Sequence, residues 1–123
     1  MVRVLICGSR YWGKPIPIDV VVSGLVSIYG PDGVTVIHGG ARGADELAGD
    51  AAQRHHCHVE VFNADWAGQG KAAGPLRNQR MIDESKPDVV FAFTHDLETS
   101  RGTADMVRRA HAASVPTYVV TRA

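Results

Sequence analysis

The chain has 123 residues, enough for one packed domain over 1–123 and too few for a second core. Its 13 basic and 13 acidic side chains cancel to a formal charge of zero, so no global basic field recruits nucleic acid, and a nucleic-acid partner is not expected. Met1 runs straight into the apolar stretch Val2 to Cys7, no apolar run approaches the roughly 20 residues of a membrane span, and Cys7 and Cys57 lack C-x-x-C spacing, which predicts a cytoplasmic protein with two small core thiols.

The first predicted strand is Val2 to Cys7, followed by Gly8-Ser9-Arg10-Tyr11-Trp12-Gly13 and a helix near Ile18 to Tyr29. Gly30-Pro31-Asp32-Gly33 is turn chemistry that ends this helix before a strand at Val34 to His38, too short and too β-branched for a helix. The loop Gly39 to Gly43 then opens an Ala-rich helix, Ala44 to His56, and a strand follows at His58 to Phe62. The next stretch, starting at Ala64, is rich in Gly and Ala, which predicts a mobile lid without an element of its own. Pro75 suits the first position of a helix near Leu76 to Ser85. Lys86-Pro87-Asp88 turns the chain into a strand at Asp88 to Phe93, and a helix at Thr103 to Ala113 and a strand at Thr117 to Val120 complete it. This β-α alternation predicts an α/β fold, a Rossmann-like three-layer sandwich with a mostly parallel five-stranded sheet.

In such sheets ligands bind beyond the carboxyl ends of the strands, and there this chain concentrates glycines, arginines, hydroxyls and aromatics. The segment His38 to Asp45, HGGARGAD, has the form of a strand-to-helix phosphate loop, with Gly39, Gly40 and Gly43 admitting an anion to the backbone and Arg42 beside it. A tight turn needing φ > 0 is the alternative reading of the same glycines. The Rossmann fingerprint is only partly matched, because His38 stands where the first glycine belongs. A Walker A loop is excluded, since Gly70-Lys71 has Asp65 at the required glycine position and Ala72 in place of the Mg²⁺-binding hydroxyl. Arg10, Arg42, Arg77 and Arg101 are expected to converge on the ligand, as guanidinium forks suit phosphate. On the helix after the lid, Arg77 shares faces with Arg80 at i,i+3 and Met81 at i,i+4.

GSRYW after the first strand, HGGARGAD after the second, the GPLRNQRM helix and the late RGTAD together resemble the YspA-like family of the SLOG superfamily, relatives of the Lonely Guy phosphoribohydrolases and more distantly of DprA-type proteins. The resemblance runs from Val2 to about Val120. It implies a Rossmann-like fold, binding of nucleotides or their derivatives, homodimerisation, and occurrence in bacteria, on phages and on other mobile elements. Gly39, Gly40 and Gly43 match the hydrolases' first glycine-rich loop, and Arg77 with Met81 matches their arginine-to-methionine helix. Their lysine after that arginine is Asn78 here. Of their P-G-G-x-G-T-x-x-E motif Gly102 and Thr103 remain, with Met106 at the glutamate position and Asp105 one residue earlier.

Cleavage of an N-glycosidic bond develops positive charge on the sugar, which Asp105 or Asp45 is suited to stabilise while Arg77 orients the phosphate or ribose. The expected binding set is therefore Gly8, Ser9, Arg10, Gly39, Gly40, Arg42, Gly43, Asp45, Gly102 and Thr103, with Arg77 and Asp105 as catalytic candidates. No cofactor and no metal is invoked: His55, His56, Cys57 and His58 are adjacent and point in different directions, so they serve capping or surface packing, and Asp65 reads as a loop residue. Three functions follow: a nucleotide-derivative sensor or weak processing protein, acting on a nucleoside phosphate or an ADP-ribose-like molecule; an N-glycosidic phosphoribohydrolase of Lonely Guy type; and a DprA-like nucleic-acid-associated protein. The expected partners are a nucleotide-type small molecule and a second copy of the chain, the latter through Trp12, Tyr29, Trp66 and Tyr118.

Overall fold

The computed structural model describes residues 1–121. Strands β1 (Val2–Gly8), β2 (Val34–His38), β3 (His58–Val61), β4 (Val89–Phe93) and β5 (Thr117–Val120) form one sheet in the order β3-β2-β1-β4-β5. All four pairings are parallel. The helices are α1 (Pro15–Tyr29), α2 (Ala44–Arg54), the one-turn α3 (Trp66–Gln69), α4 (Ala73–Arg80) and α5 (Arg101–Ala112). The expected Rossmann-like α/β sandwich is the fold observed.

Because both faces of a parallel sheet carry helices, its central strands read as continuous apolar runs, and every residue of β2 is buried. Alternation along β1 divides the core in two. Val4 and Ile6 pack with Val34, Val36, Trp12, Ile18 and Val22 and with Ala44, Ala48 and Ala51 of α2, whose short side chains let that helix lie close to the sheet. Leu5 and Cys7 face the other way, onto Ile37, Val90, Ala92, Met81, Met106 and Ala110. Cys57 is only half-buried, and Trp12, expected at a dimer surface, is 1% exposed: its ring lies in the core beside Phe93, and its indole N–H donates to the carbonyl of Lys14 at 2.8 Å.

The lid segment is structured rather than a loop. Asp65 caps α3 by accepting from the Gly68 N–H at 3.0 Å, and the Trp66 ring lies against Gly74, where a Cβ would stand 3.2 Å away. After a 3₁₀ turn at Gly70–Ala72, α4 starts at Ala73, so Pro75 falls inside its first turn rather than opening it. Beyond Arg80 the helix widens into a π-type turn, Met81–Ser85, in which the Ser85 hydroxyl donates to the Met81 carbonyl. Lys86 in the left-handed conformation, φ 48°, ends it before Pro87.

Among the described residues no helix is long and apolar enough to cross a membrane.

Candidate functional site

The strand order reverses between β1 and β4, and there a cleft of about 720 Å³ opens above the carboxyl ends of the strands. Its walls come from the end of β1 and the loop after it (Gly8 to Tyr11), the glycine loop (Ala41), the start of α2 (Asp45), the α3–α4 segment (Trp66, Lys71, Arg77, Asn78) and the entry into α5 (Glu98 to Thr103, Asp105). Of the residues expected from sequence, Gly8, Ser9, Arg10, Asp45, Arg77, Gly102, Thr103 and Asp105 are brought together here. Gly39, Gly40, Arg42 and Gly43 are not among the lining residues, and Arg42 is exposed.

The glycine loop is held mostly by its own contacts. The N–H groups of Gly39 and Ala41 donate to the Asp45 carboxylate at 2.8 and 3.4 Å, that of Gly40 to Nδ1 of His38 at 3.0 Å, and that of Ala44 to the carbonyl of Ser9 at 3.2 Å. Gly40 and Gly43 have φ of 71° and 77°; a side chain would run into Asn63 at Gly40, and into the Ser9 and Arg10 backbone at Gly43. These glycines join β2 to α2 while letting the β1 loop pass closely overhead. His38 must accept at Nδ1, which puts its proton on Nε2, and burial with the nearby Arg77 charge holds its pKa below the ordinary value, so the ring is neutral.

Arg77 ties the second and third strand ends together. Its Nη1 donates to the Gly39 carbonyl at 2.5 Å and to the Phe62 carbonyl at 3.3 Å, and its Nε donates to Oδ1 of Asn78 at 3.1 Å. Burial pushes the Asp45 carboxyl up to about 6, against the lowering pull of the loop N–H groups and Arg77. Burial and the neighbouring Asp45 charge raise the Cys7 thiol far above its usual range, so it is no nucleophile at neutral pH.

Asp105 is anchored. Its Oδ2 accepts from Nε of Arg109 at 2.8 Å and from Nδ2 of Asn78 at 3.0 Å, and Arg108 stands 3.4 Å from Oδ1. Burial alone would raise its pKa, but the Arg109 and Asn78 hydrogen bonds outweigh that, and the carboxyl sits below its ordinary value. Met106, at the hydrolases' glutamate position, is 1% exposed in the core. Asn78 is a site residue that sequence reasoning does not single out. It is 5% exposed, and its amide joins Arg77, Asp105 and the Gly102 carbonyl, the last at 3.2 Å. An amide three and four residues before the buried Met81 and Ile82 is the available signal.

The mouth of the cleft carries Tyr11 and Trp66, 81% and 60% exposed, with Arg10, Lys71 and Arg101. Away from it, His55 bonds Asp19 at 3.0 Å and closes α2, and among the described residues no group of three or more His, Cys, Asp and Glu is placed to hold a metal.

A parallel doubly wound sheet with a mixed polar and aromatic crevice at its switch point defines a Rossmann-like α/β domain. The profile of the YspA, cpYpsA-related SLOG family matches residues 2–68, and the chain belongs to that family. It is 39% identical over 122 residues to the Gene 61 protein of Mycobacterium phage D29, covering 94% of both chains. A solved structure of DNA processing protein A from Helicobacter pylori, described for its single-stranded DNA binding mode, superposes with a TM-score of 0.74 at 18% identity; it covers 99% of this chain, which spans 66% of that one. The expectation that a nucleic-acid partner is unlikely is thereby corrected, because this fold is shared with a protein that binds single-stranded DNA. Net charge is a sum over the whole surface and does not describe one cleft, where Arg10, Lys71, Arg77 and Arg101 stand among Asp45, Glu98 and Asp105.

Proposed function

We propose that the cleft binds a nucleotide or nucleotide derivative, a nucleoside phosphate or an ADP-ribose-like molecule, without turning it over rapidly. The observation that carries this reading is the pairing of exposed Tyr11 and Trp66 with Arg10, Lys71, Arg77 and Arg101 around one crevice. An aromatic face takes a base by stacking, and guanidinium groups take phosphate oxygens. The N-terminal turn of α5 at Gly102 and Thr103 adds backbone N–H groups to the same wall.

Phosphoribohydrolase activity is the weaker reading. A carboxylate that stabilises an oxocarbenium-like centre must be free to approach the sugar, whereas Asp105 is engaged by Arg109 and Asn78. A DprA-like role is favoured by the shared fold, since the same stacking and arginine chemistry accepts a nucleotide within a single strand.

Trp66 provides the test. Trp12 is buried in the core, so ligand-dependent fluorescence change reports Trp66. Titration with nucleoside monophosphates and ADP-ribose should give saturable quenching that Trp66→Phe abolishes, with no free base on chromatography after long incubation. Absence of binding by calorimetry across the panel overturns the reading, and rapid base release that Asp105→Asn removes establishes the hydrolase instead.

A further inference from the structure

Resting on the nucleotide reading of the main cleft, we propose a second anion subsite in the groove between α4 and α5, so that the preferred ligand is a nucleoside carrying a phosphate group at each end. A second depression, of about 560 Å³, is lined by Gln79, Asp105, Arg108, Arg109, Ala112 and Ala113. Asp105 belongs to its wall and to that of the main cleft, so the two are adjacent, on either side of that residue.

The charges in this groove do not balance. Arg109 is fixed by Asp105 and by Gln79, whose Oε1 accepts from Nη1 at 2.8 Å. Arg108 lies 3.4 Å from the same carboxylate, and its side chain is 70% exposed. One carboxylate therefore answers two guanidinium groups, and the excess positive charge sits on the more exposed of them. Planar guanidinium donors held at a groove are complementary to phosphoryl oxygens.

Spacing extends the argument from charge to ligand. Arg101, Asp105 and Arg108 fall at i, i+4 and i+7 of α5, one stripe along the helix. Arg101 lines the main cleft and Arg108 the second groove, separated by about 10 Å along the axis. That is farther than a single phosphate group reaches. A nucleoside bearing phosphate at both ends bridges the two, crossing above Asp105, whose own charge is already met by Arg109. The short side chains of Ala112 and Ala113 leave the far end of the groove open.

The experiment compares adenosine monophosphate, the 5′-phosphorylated dinucleotide pApA and a longer single-stranded oligonucleotide on the full chain, by calorimetry at low salt. The dinucleotide should bind about tenfold more tightly than the monophosphate, the gain of one charge-assisted contact. Arg108→Ala should remove that gain and leave monophosphate affinity as it was, while Arg108→Lys should restore part of it. An oligonucleotide that binds more tightly still identifies a strand as the source of the second phosphate; one that only equals pApA identifies a free dinucleotide, and both outcomes support the subsite. If the monophosphate binds and pApA is no tighter, or if its gain survives Arg108→Ala, the subsite is overturned and the cleft stands. If no nucleotide binds, the cleft reading fails and the subsite with it.

Discussion

Nη1 of Arg77 donates to the carbonyl of Gly39, a residue 38 positions earlier in the chain, and so joins the helix behind the cleft to the turn that follows β2. The same guanidinium reaches Phe62 at the end of β3 and Asn78 on its own helix. Arg77 thus braces the strand ends as well as lining the site. Arg77→Lys keeps the charge but loses the fork, and the expected cost is about 1–3 kcal/mol of stability. Urea denaturation checks this, and an unchanged midpoint contradicts the bracing role.

Two glycines should respond in opposite directions to alanine. Gly43 has φ 77° and backbone of Ser9 and Arg10 where a Cβ would go, so Gly43→Ala should cost more than about 2 kcal/mol. Gly24 lies exposed in α1 with nothing within 4 Å of the place an alanine methyl would take, so Gly24→Ala should stabilise by about 0.5–1 kcal/mol. Thermal unfolding of both variants measures the contrast, and the argument fails if the two shifts share a sign.

Asp45 predicts a pH dependence of unusual sign. Its folded carboxyl is pushed up to about 6 from an ordinary 3.8, so between those values the folded state holds more protons than the unfolded chain. Stability from this group is present below the ordinary value and is lost as pH rises through about 6, with a magnitude of about 3 kcal/mol. His38, whose pKa is lowered by burial, acts oppositely: its contribution is lost as pH falls below the ordinary histidine value. Comparing wild type with Asp45→Asn by denaturant titration at acidic and neutral pH isolates the Asp45 contribution. Parallel pH profiles for the two proteins are the adverse result.

Homodimerisation, which the family resemblance implies, is expected to use α1. Asp19 is the one charged residue of that helix, yet Ile16, Val20 and Ile28 are 73%, 63% and 73% exposed. Apolar side chains grouped on a helix face mark a contact surface. Light scattering should give twice the chain mass for wild type and the chain mass for Val20→Glu; a monomeric wild type at high concentration rejects the expectation.

What the sequence determined by itself was the frame. Val34 to His38 and Thr117 to Val120 are β-branched runs bounded by turn residues, and they are strands over those very residues in the structure. Such patterns are legible because they encode local periodicity and burial, which depend on neighbours a few positions away. The strand-end segments were legible for a related reason, since parallel β-α units leave the loops after each strand on one side.

Tertiary structure alone decided which of those residues meet. Gly39, Gly40 and Gly43 have the composition of a phosphate loop, but the N–H groups of Gly39 and Gly40 bond Asp45 and His38, and the missing side chain of Gly43 makes room for the passing β1 loop. Trp12 and Trp66 are indistinguishable as letters, and one fills the core while the other stands at the mouth of the cleft. Asp105 has its i+4 partner Arg109 within reach of the sequence pattern, but the Asn78 amide on its other side comes only from the fold. Partners such as Asn78, 27 residues from Asp105 along the chain, are set by packing α4 against α5, and no local pattern carries that contact. The same holds for charge: a sequence sums it, whereas the fold places Arg10, Lys71, Arg77 and Arg101 on the walls of one crevice.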